Sequence, residues 1–318
     1  MNRRLWLQTT ASLAASPNAF AQSPQGKILV GFSAGGSIDL LARQVAEGLS
    51  NRLGRPFIVE NRVGAAGRIA IEATKNAKPD GDTLLVCPQG PLTLFPYVFK
   101  NLKFDPFKDL APIARLSTFD VAIGLGPATS ADTIQKFVAW LKANPAKANF
   151  GSSGQGTLLH FTGISFSQKI GVPLTHVAYK GAAPAVADLM AGSVPMVVAP
   201  MSDMLEYHKA GRLKMVAITS AQRSILAPDV PTLKESDIDV EVPGWFALYG
   251  PAGMPAEDVK ARHKIVAETL GQASVKERLL RMGMISAVLS PEDTAKVQRS
   301  EHLMWGPLVK AAGFTPED

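Results

Sequence analysis

Two glycine-rich turns, each set between a strand-like apolar run and an amphipathic helix, constrain this chain more than any other feature. Residues 27–43 read KILVGFSAGGSIDLLAR, and residues 148–160 read ANFGSSGQGTLLH. A helix that starts directly at a strand end leaves backbone N–H groups unsatisfied and puts the positive end of its dipole there, so its N-terminus favours an anion. Two such termini facing one cleft form a clamp for a small carboxylate, without a cofactor or metal. The candidate contacts are Phe32, Ala34, Gly35, Gly36, Ser37 and Asp39 in the first turn, and Ser152, Ser153, Gly154, Gly156, Thr157 and His160 in the second.

Several of these residues have a structural alternative. Ser152, Ser153 and Thr157 are also helix-capping types. Asp39 suits the orientation of its own loop better than contact with an anion, which it would repel. His160 reads more readily as a packed histidine than as a ligand contact. Lys180 ends a strand, where α/β proteins commonly aim side chains at ligand, but an ordinary surface lysine fits as well. Trp245 and Phe246 read either as a cleft wall or as a buried aromatic pair, and Cys87, the single cysteine, reads as a small core hydrophobe.

Apolar runs over 28–32, 57–60, 83–87, 121–125, 148–151, 175–178, 196–199, 214–219 and 246–250 predict strands alternating with helices, hence an α/β fold with mostly parallel sheets. Helices are expected over 38–52, 130–144, 157–169, 183–191, 256–273 and 274–281, with a last one opening at Pro291. With 318 residues, two domains are expected. Breaks near residues 125–127 and 229–244 divide the chain into one lobe of residues 22–124 and 245–318 and a second of residues 125–244. A chain that leaves one lobe, builds another and returns leaves a hinge and a ligand cleft.

The first 21 residues read as an export signal. Arg3 and Arg4 form a basic start that also suits a twin-arginine signal, an apolar stretch follows, and Ala19-Phe-Ala21 supplies a cleavage pattern before Gln22. Cleavage after Ala21 would release a free periplasmic protein. The scattered net charge of +6 argues against a nucleic-acid groove.

Enzyme signatures are sparse. Residues 151–155 break the Gly-x-Ser-x-Gly pattern at its last glycine, and His-Glu-x-x-His, the phosphate-loop pattern and Tyr-x-x-x-Lys are all missing. Gly151, Gly154 and Gly156 form a dinucleotide-like glycine triad, yet no acidic residue follows about twenty positions on. An NAD(P)-dependent oxidoreductase is the weaker alternative.

Taken in order, several blocks resemble one family. They are AGGSIDLLAR (34–43), VENRVGAAG (59–67), AKPDGDTLL (77–85), residues 151–160, HVAYKGAAPA (176–185), AGRLK (210–214) and GPAGMP (250–255). Their sequence resembles the tripartite tricarboxylate transporter receptors, the Bug or TctC-type periplasmic solute-binding proteins. The resemblance implies a two-lobed Venus-flytrap fold of type II-like architecture that closes on a small carboxylate held by residues 34–39 and 152–157. It also implies a receptor that hands its ligand to integral-membrane transporter subunits; a monomer is expected. A receptor that signals to a sensor kinase would use the same grip. Departures from the family pattern fall at Phe32 and Ser33 (usually proline before the alanine), at Arg68 (usually a small polar residue) and at Ala199 (often acidic). Arg68 either faces the cleft and pairs with a second carboxylate or is a solvated charge. Ala199 makes an amine-bearing ligand less favoured.

Overall fold

The computed structural model describes residues 25–311 together with Phe314 and Pro316; the expected export signal and its cleavage site lie outside them. The first half of the chain begins β1 (Gly26–Val30), α1 (Ser37–Leu53), β2 (Phe57–Asn61), α2 (Arg68–Lys75) and β3 (Thr83–Pro88). Two short helices, α3 (Gln89–Thr93) and α4 (Phe95–Val98), lead into the long strand β4 (Leu110–Leu125). Next come α5 (Ile134–Ala143), β5 (Asn149–Ser152), α6 (Leu158–Ile170), β6 (Thr175–Ala178), α7 (Ala182–Met190), β7 (Met196–Pro200), α8 (Leu205–Lys209) and β8 (Lys214–Ile218). The chain closes with β9 (Pro243–Pro251), α9 (Ala256–Gly271), α10 (Ala273–Arg281), β10 (Ile285–Leu289) and α11 (Pro291–Ala311).

The buried run Ile28-Leu-Val30 forms a strand because helices cover both faces of its sheet. It lies between β2 and β3, parallel to both, and β9 and then β4 extend the sheet antiparallel. Up to Asp120, β4 pairs with β9 and β10; from Val121 its partners become β7 and β8. Beyond β7, strands β5 and β6 run parallel. The chain thus crosses from the first lobe to the second inside β4 and returns in β9. The sheets are mixed rather than mostly parallel, because the crossing strands oppose the βαβ units they join.

The sequence pattern located β4 only from Val121. Its first half carries Pro112, Arg115, Ser117 and Asp120, and is a strand because β9 and β10 flank it. Helix α1 buries Leu41, Val45 and Leu49 and exposes Leu40, so its apolar stripe is narrower than the spacing suggested. It ends at Gly54, whose φ of 64° is the left-handed stop that glycine favours. Helix α6 is capped by Thr157, whose Oγ1 accepts the His160 N–H at 3.3 Å.

Phe137 on α5, Phe150 on β5 and Phe166 on α6 fill the core of the second lobe and are essentially inaccessible. Phe137→Ala is expected to lower unfolding free energy by about 3–5 kcal/mol, from lost transfer energy plus a residual cavity. Urea denaturation checks this; a loss under about 1 kcal/mol would contradict the packing described.

Candidate functional site

The C-terminal ends of β1, β3, β5 and β7 converge on one cleft between the lobes, where α/β sheets usually bind ligands. The first lobe contributes Phe32, Ser33, Gly36, Ser37 and Ile38 from the β1–α1 turn, and Pro88, Gly90 and Pro91 after β3. The second contributes Ser153, Thr157, Leu158 and Leu159 from the β5–α6 turn, with Ala182, Pro200 and Asp203. Phe119 of β4 and Phe246 of β9 line it from the crossing strands, with rings stacked at 4.4 Å.

Both glycine turns reach this cleft, but their helix termini are in different states. At α1, Asp203 crosses from the second lobe: its Oδ1 accepts the Ser37 N–H and its Oδ2 the Ser37 hydroxyl, both at 2.8 Å. Gly36 O takes the N–H groups of Asp39 and Leu40. A carboxylate belonging to the protein therefore already occupies this terminus. Burial raises the Asp203 carboxyl to about 6, and the two Ser37 hydrogen bonds only partly oppose that rise. At α6, Leu158 and Leu159 are the first two helical residues, both line the cleft, and neither N–H has an acceptor within the helix. Ser153 and Thr157 stand beside them.

Of the residues singled out from the sequence, Phe32, Gly36, Ser37, Ser153, Thr157 and Phe246 line the cleft. The others lie outside its walls. Asp39 turns back to hold its own loop, accepting from Gly35 N at 3.1 Å, from Arg43 and from Asn61. Burial alone would raise its carboxyl, but these hydrogen bonds prevail and hold it below the usual aspartate range. Ala34 and Gly35 are exposed at the loop tip. Lys180 is also exposed, and its backbone carbonyl, not its ammonium, is the group engaged: it accepts from Ser33 N at 3.0 Å and Ser33 Oγ at 2.8 Å, joining the lobes.

The rest of the second turn is held from behind. Ser152 Oγ meets His176 Nε2 at 2.7 Å, and Gln155 Oε1 meets His176 Nδ1 at 2.8 Å. Gly156 N donates to His160 Nδ1 at 3.1 Å, and the two imidazoles stack at 3.9 Å. His160 is thus a packed support for the glycine loop. Gly154, at φ 147°, is buried against the other lobe, where an added Cβ would meet Ala66 at 3.3 Å. Glycine allows this close approach as well as the backbone angle.

Arg68 lies over the Phe99 ring at 3.9 Å and donates to Ala65 O, outside the cleft walls. Trp245 is buried and donates its indole N–H to Glu301 at 2.8 Å, leaving Phe246 as the cleft aromatic. Cys87 is buried and its thiol pKa is pushed up by desolvation, which makes it unreactive. Among the described residues, no group of His, Cys, Asp or Glu is arranged to hold a metal ion.

Sequence reasoning passed over Asp203, Pro88, Gly90, Pro91, Leu158 and Leu159. One signal was present: Asp203 follows the end of β7 by three residues, in the strand-end position where ligand contacts gather.

A two-lobed α/β protein with a ligand cleft between lobes joined by crossing strands has the architecture of periplasmic binding proteins. The chain matches the model for the tripartite tricarboxylate transporter family receptor over residues 41–314, and it belongs to that family. A UPF0065 protein of Bordetella bronchiseptica is 33% identical, with 91% of this chain and 86% of that protein covered. Protein BugT of Bordetella pertussis is 30% identical, with 96% and 94% covered. Among solved structures, an R. palustris protein with adipate superposes with a TM-score of 0.88 at 28% identity, covering 92% of this chain and 98% of that one. MatC of Rhodopseudomonas palustris with bound malate gives 0.84 at 26% identity, covering 90% and 99%. The family is one of substrate-binding receptors, so an oxidoreductase reading of the glycine triad is not favoured.

The histidine pair generates a pH prediction. Burial depresses His160 to about 4, and burial together with His160 depresses His176 to about 3, so both are neutral in the folded state near neutrality. In the unfolded chain they titrate near 6.5. Their contribution is thus intact above about pH 6.5 and declines as pH falls toward 4, by up to about 1.4 kcal/mol per pH unit for each. Urea unfolding from pH 7 to 4.5 should give a shallower acid loss for His176→Gln than for the parent protein. Equal slopes would show that the pair does not titrate as described.

Proposed function

We propose that this chain is a periplasmic receptor that captures a small carboxylate by lobe closure, leaves it chemically unchanged and delivers it to a separate membrane transporter. In this reading the protein is a monomer exported by its N-terminal signal, with cleavage after Ala21. The lobes are residues 22–124 with 245–318 and residues 125–244. The observation that carries the reading is the α6 N-terminus opening on an apolar-lined interlobe cleft.

Ligand contact is assigned to Ser153, Thr157 and the N–H groups of Leu158 and Leu159, with Phe32, Gly36 and Ser37 on the facing wall. Closure removes water around these donors, which strengthens their bonds to an anion. The Ser33–Lys180 and Ser37–Asp203 contacts support a closed state joined by polar bonds across the lobes. Adipate and malate in the relatives support an acid as ligand. Among the described residues no helix is long and apolar enough to cross a membrane, which leaves translocation to another protein. Nothing in the site favours signalling to a sensor kinase over delivery to a transporter.

A thermal-shift panel of mono-, di- and tricarboxylates, amino acids, aromatic acids and NAD(P) tests the reading on the purified protein. A bound acid at a hundredfold excess over its dissociation constant stabilises the fold by ~2.7 kcal/mol. Gly90→Val should weaken that shift, because a Cβ there would sit 3.3 Å from the Leu158 nitrogen. A shift with NAD(P) and none with any acid would overturn the proposal.

A further inference from the structure

In this cleft the protein's one carboxylate-lined wall faces an open helix terminus, and cationic side chains are missing from its walls. Asp203 is the one ionisable side chain among the residues lining it. Arg278 and Arg281 line a neighbouring pocket that shares Ser37 and Asp203, and they are engaged by Gln44, Glu47 and Glu277. The remaining surface of the cleft is dominated by Phe32, Ile38, Phe119, Leu158, Leu159 and Phe246, all buried.

We propose that Asp203 makes this cleft selective for single-headed acids, with one carboxylate on the α6 N-terminus, an uncharged apolar body beside Phe119 and Phe246, and no second carboxylate. The inference rests on the carboxylate-receptor reading and sharpens it. A diacid needs donors or a cation for each end. Here the α1 end presents a negative group that has already taken the Ser37 N–H and hydroxyl. A second ligand carboxylate beside it would meet repulsion in a site stripped of water, and desolvation with no compensating partner. An alkyl or aromatic body instead buries apolar surface on the Phe119–Phe246 stack, whose ring planes are tilted by 28°. Asp203 still has lone pairs for a hydroxyl or amide donor on that body. This separates the chain from its relatives that hold adipate or malate, both of which are diacids.

Isothermal titration calorimetry of the purified protein with matched pairs, hexanoate against adipate and benzoate against terephthalate, tests the proposal. The single-headed member of a bound pair should be at least tenfold tighter, a difference of about 1.4 kcal/mol. In Asp203→Asn, which keeps the side-chain shape, the preference should shrink at least tenfold. Asp203→Ser serves as a second variant should the first fail to fold. A diacid bound as tightly as its single-headed partner, or a preference that survives both substitutions, overturns the role of Asp203. Failure of these four acids and of every other acid tried would instead contradict the carboxylate reading on which it rests.

Discussion

A helix N-terminus inside a closing cleft has to be matched by a negative or accepting group, because water no longer reaches its N–H groups once the lobes meet. Two helices begin in this cleft, and the protein treats them differently. The α1 terminus is matched from within by Asp203, at two 2.8 Å hydrogen bonds to Ser37. At the α6 terminus Thr157 Oγ1 takes the His160 N–H, but the Leu158 and Leu159 N–H groups have no acceptor within the helix. That asymmetry turns a symmetrical pair of glycine turns into a site with one closed end and one receptive end.

Closure and selectivity share residues. Asp203 belongs to the second lobe and Ser37 to the first, so their contact is both a bridge between lobes and a wall of the cleft. Ser33 and the Lys180 carbonyl form a second bridge, and Gly154 lets the β5–α6 turn approach Ala66 closely. Beneath them β4, which passes between the lobes, and β9, paired with it up to Asp120, carry Phe119 and Phe246. The crossing strands thus supply both the connection between lobes and part of the apolar bed. Behind the receptive turn, the stacked neutral pair His160 and His176 fixes the glycine loop without adding charge, which preserves the positive character of the α6 end.

Much of the architecture was legible from local pattern. The strand expected at 28–32 and found at Gly26–Val30 was readable because a buried central strand is a continuous apolar run, and the helix after residue 156 because Thr157 is a capping residue. The first half of β4 was not, since its polar residues are tolerated only through pairing on both sides. The cleft was legible as two turns but not as a surface. Whether a glycine-turn residue faces ligand or turns inward depends on partners far away in sequence: Asn61 and Arg43 for Asp39, His176 for Ser152, Ala66 for Gly154. Asp203 and Ser37 are 166 positions apart, and no local motif announces their bond. Arg68, which in sequence reads as a possible second anchor, lies on an aromatic ring because Phe99 is there.

The most direct test of the unequal helix ends is a crystal structure of the protein with benzoate or another single-headed acid bound. Expected are ligand carboxylate oxygens within ~3.2 Å of the Leu158 and Leu159 nitrogens, with Asp203 still bonded to Ser37. A ligand carboxylate seated on Ser37, with Asp203 displaced from it, would contradict the assignment of the receptive end.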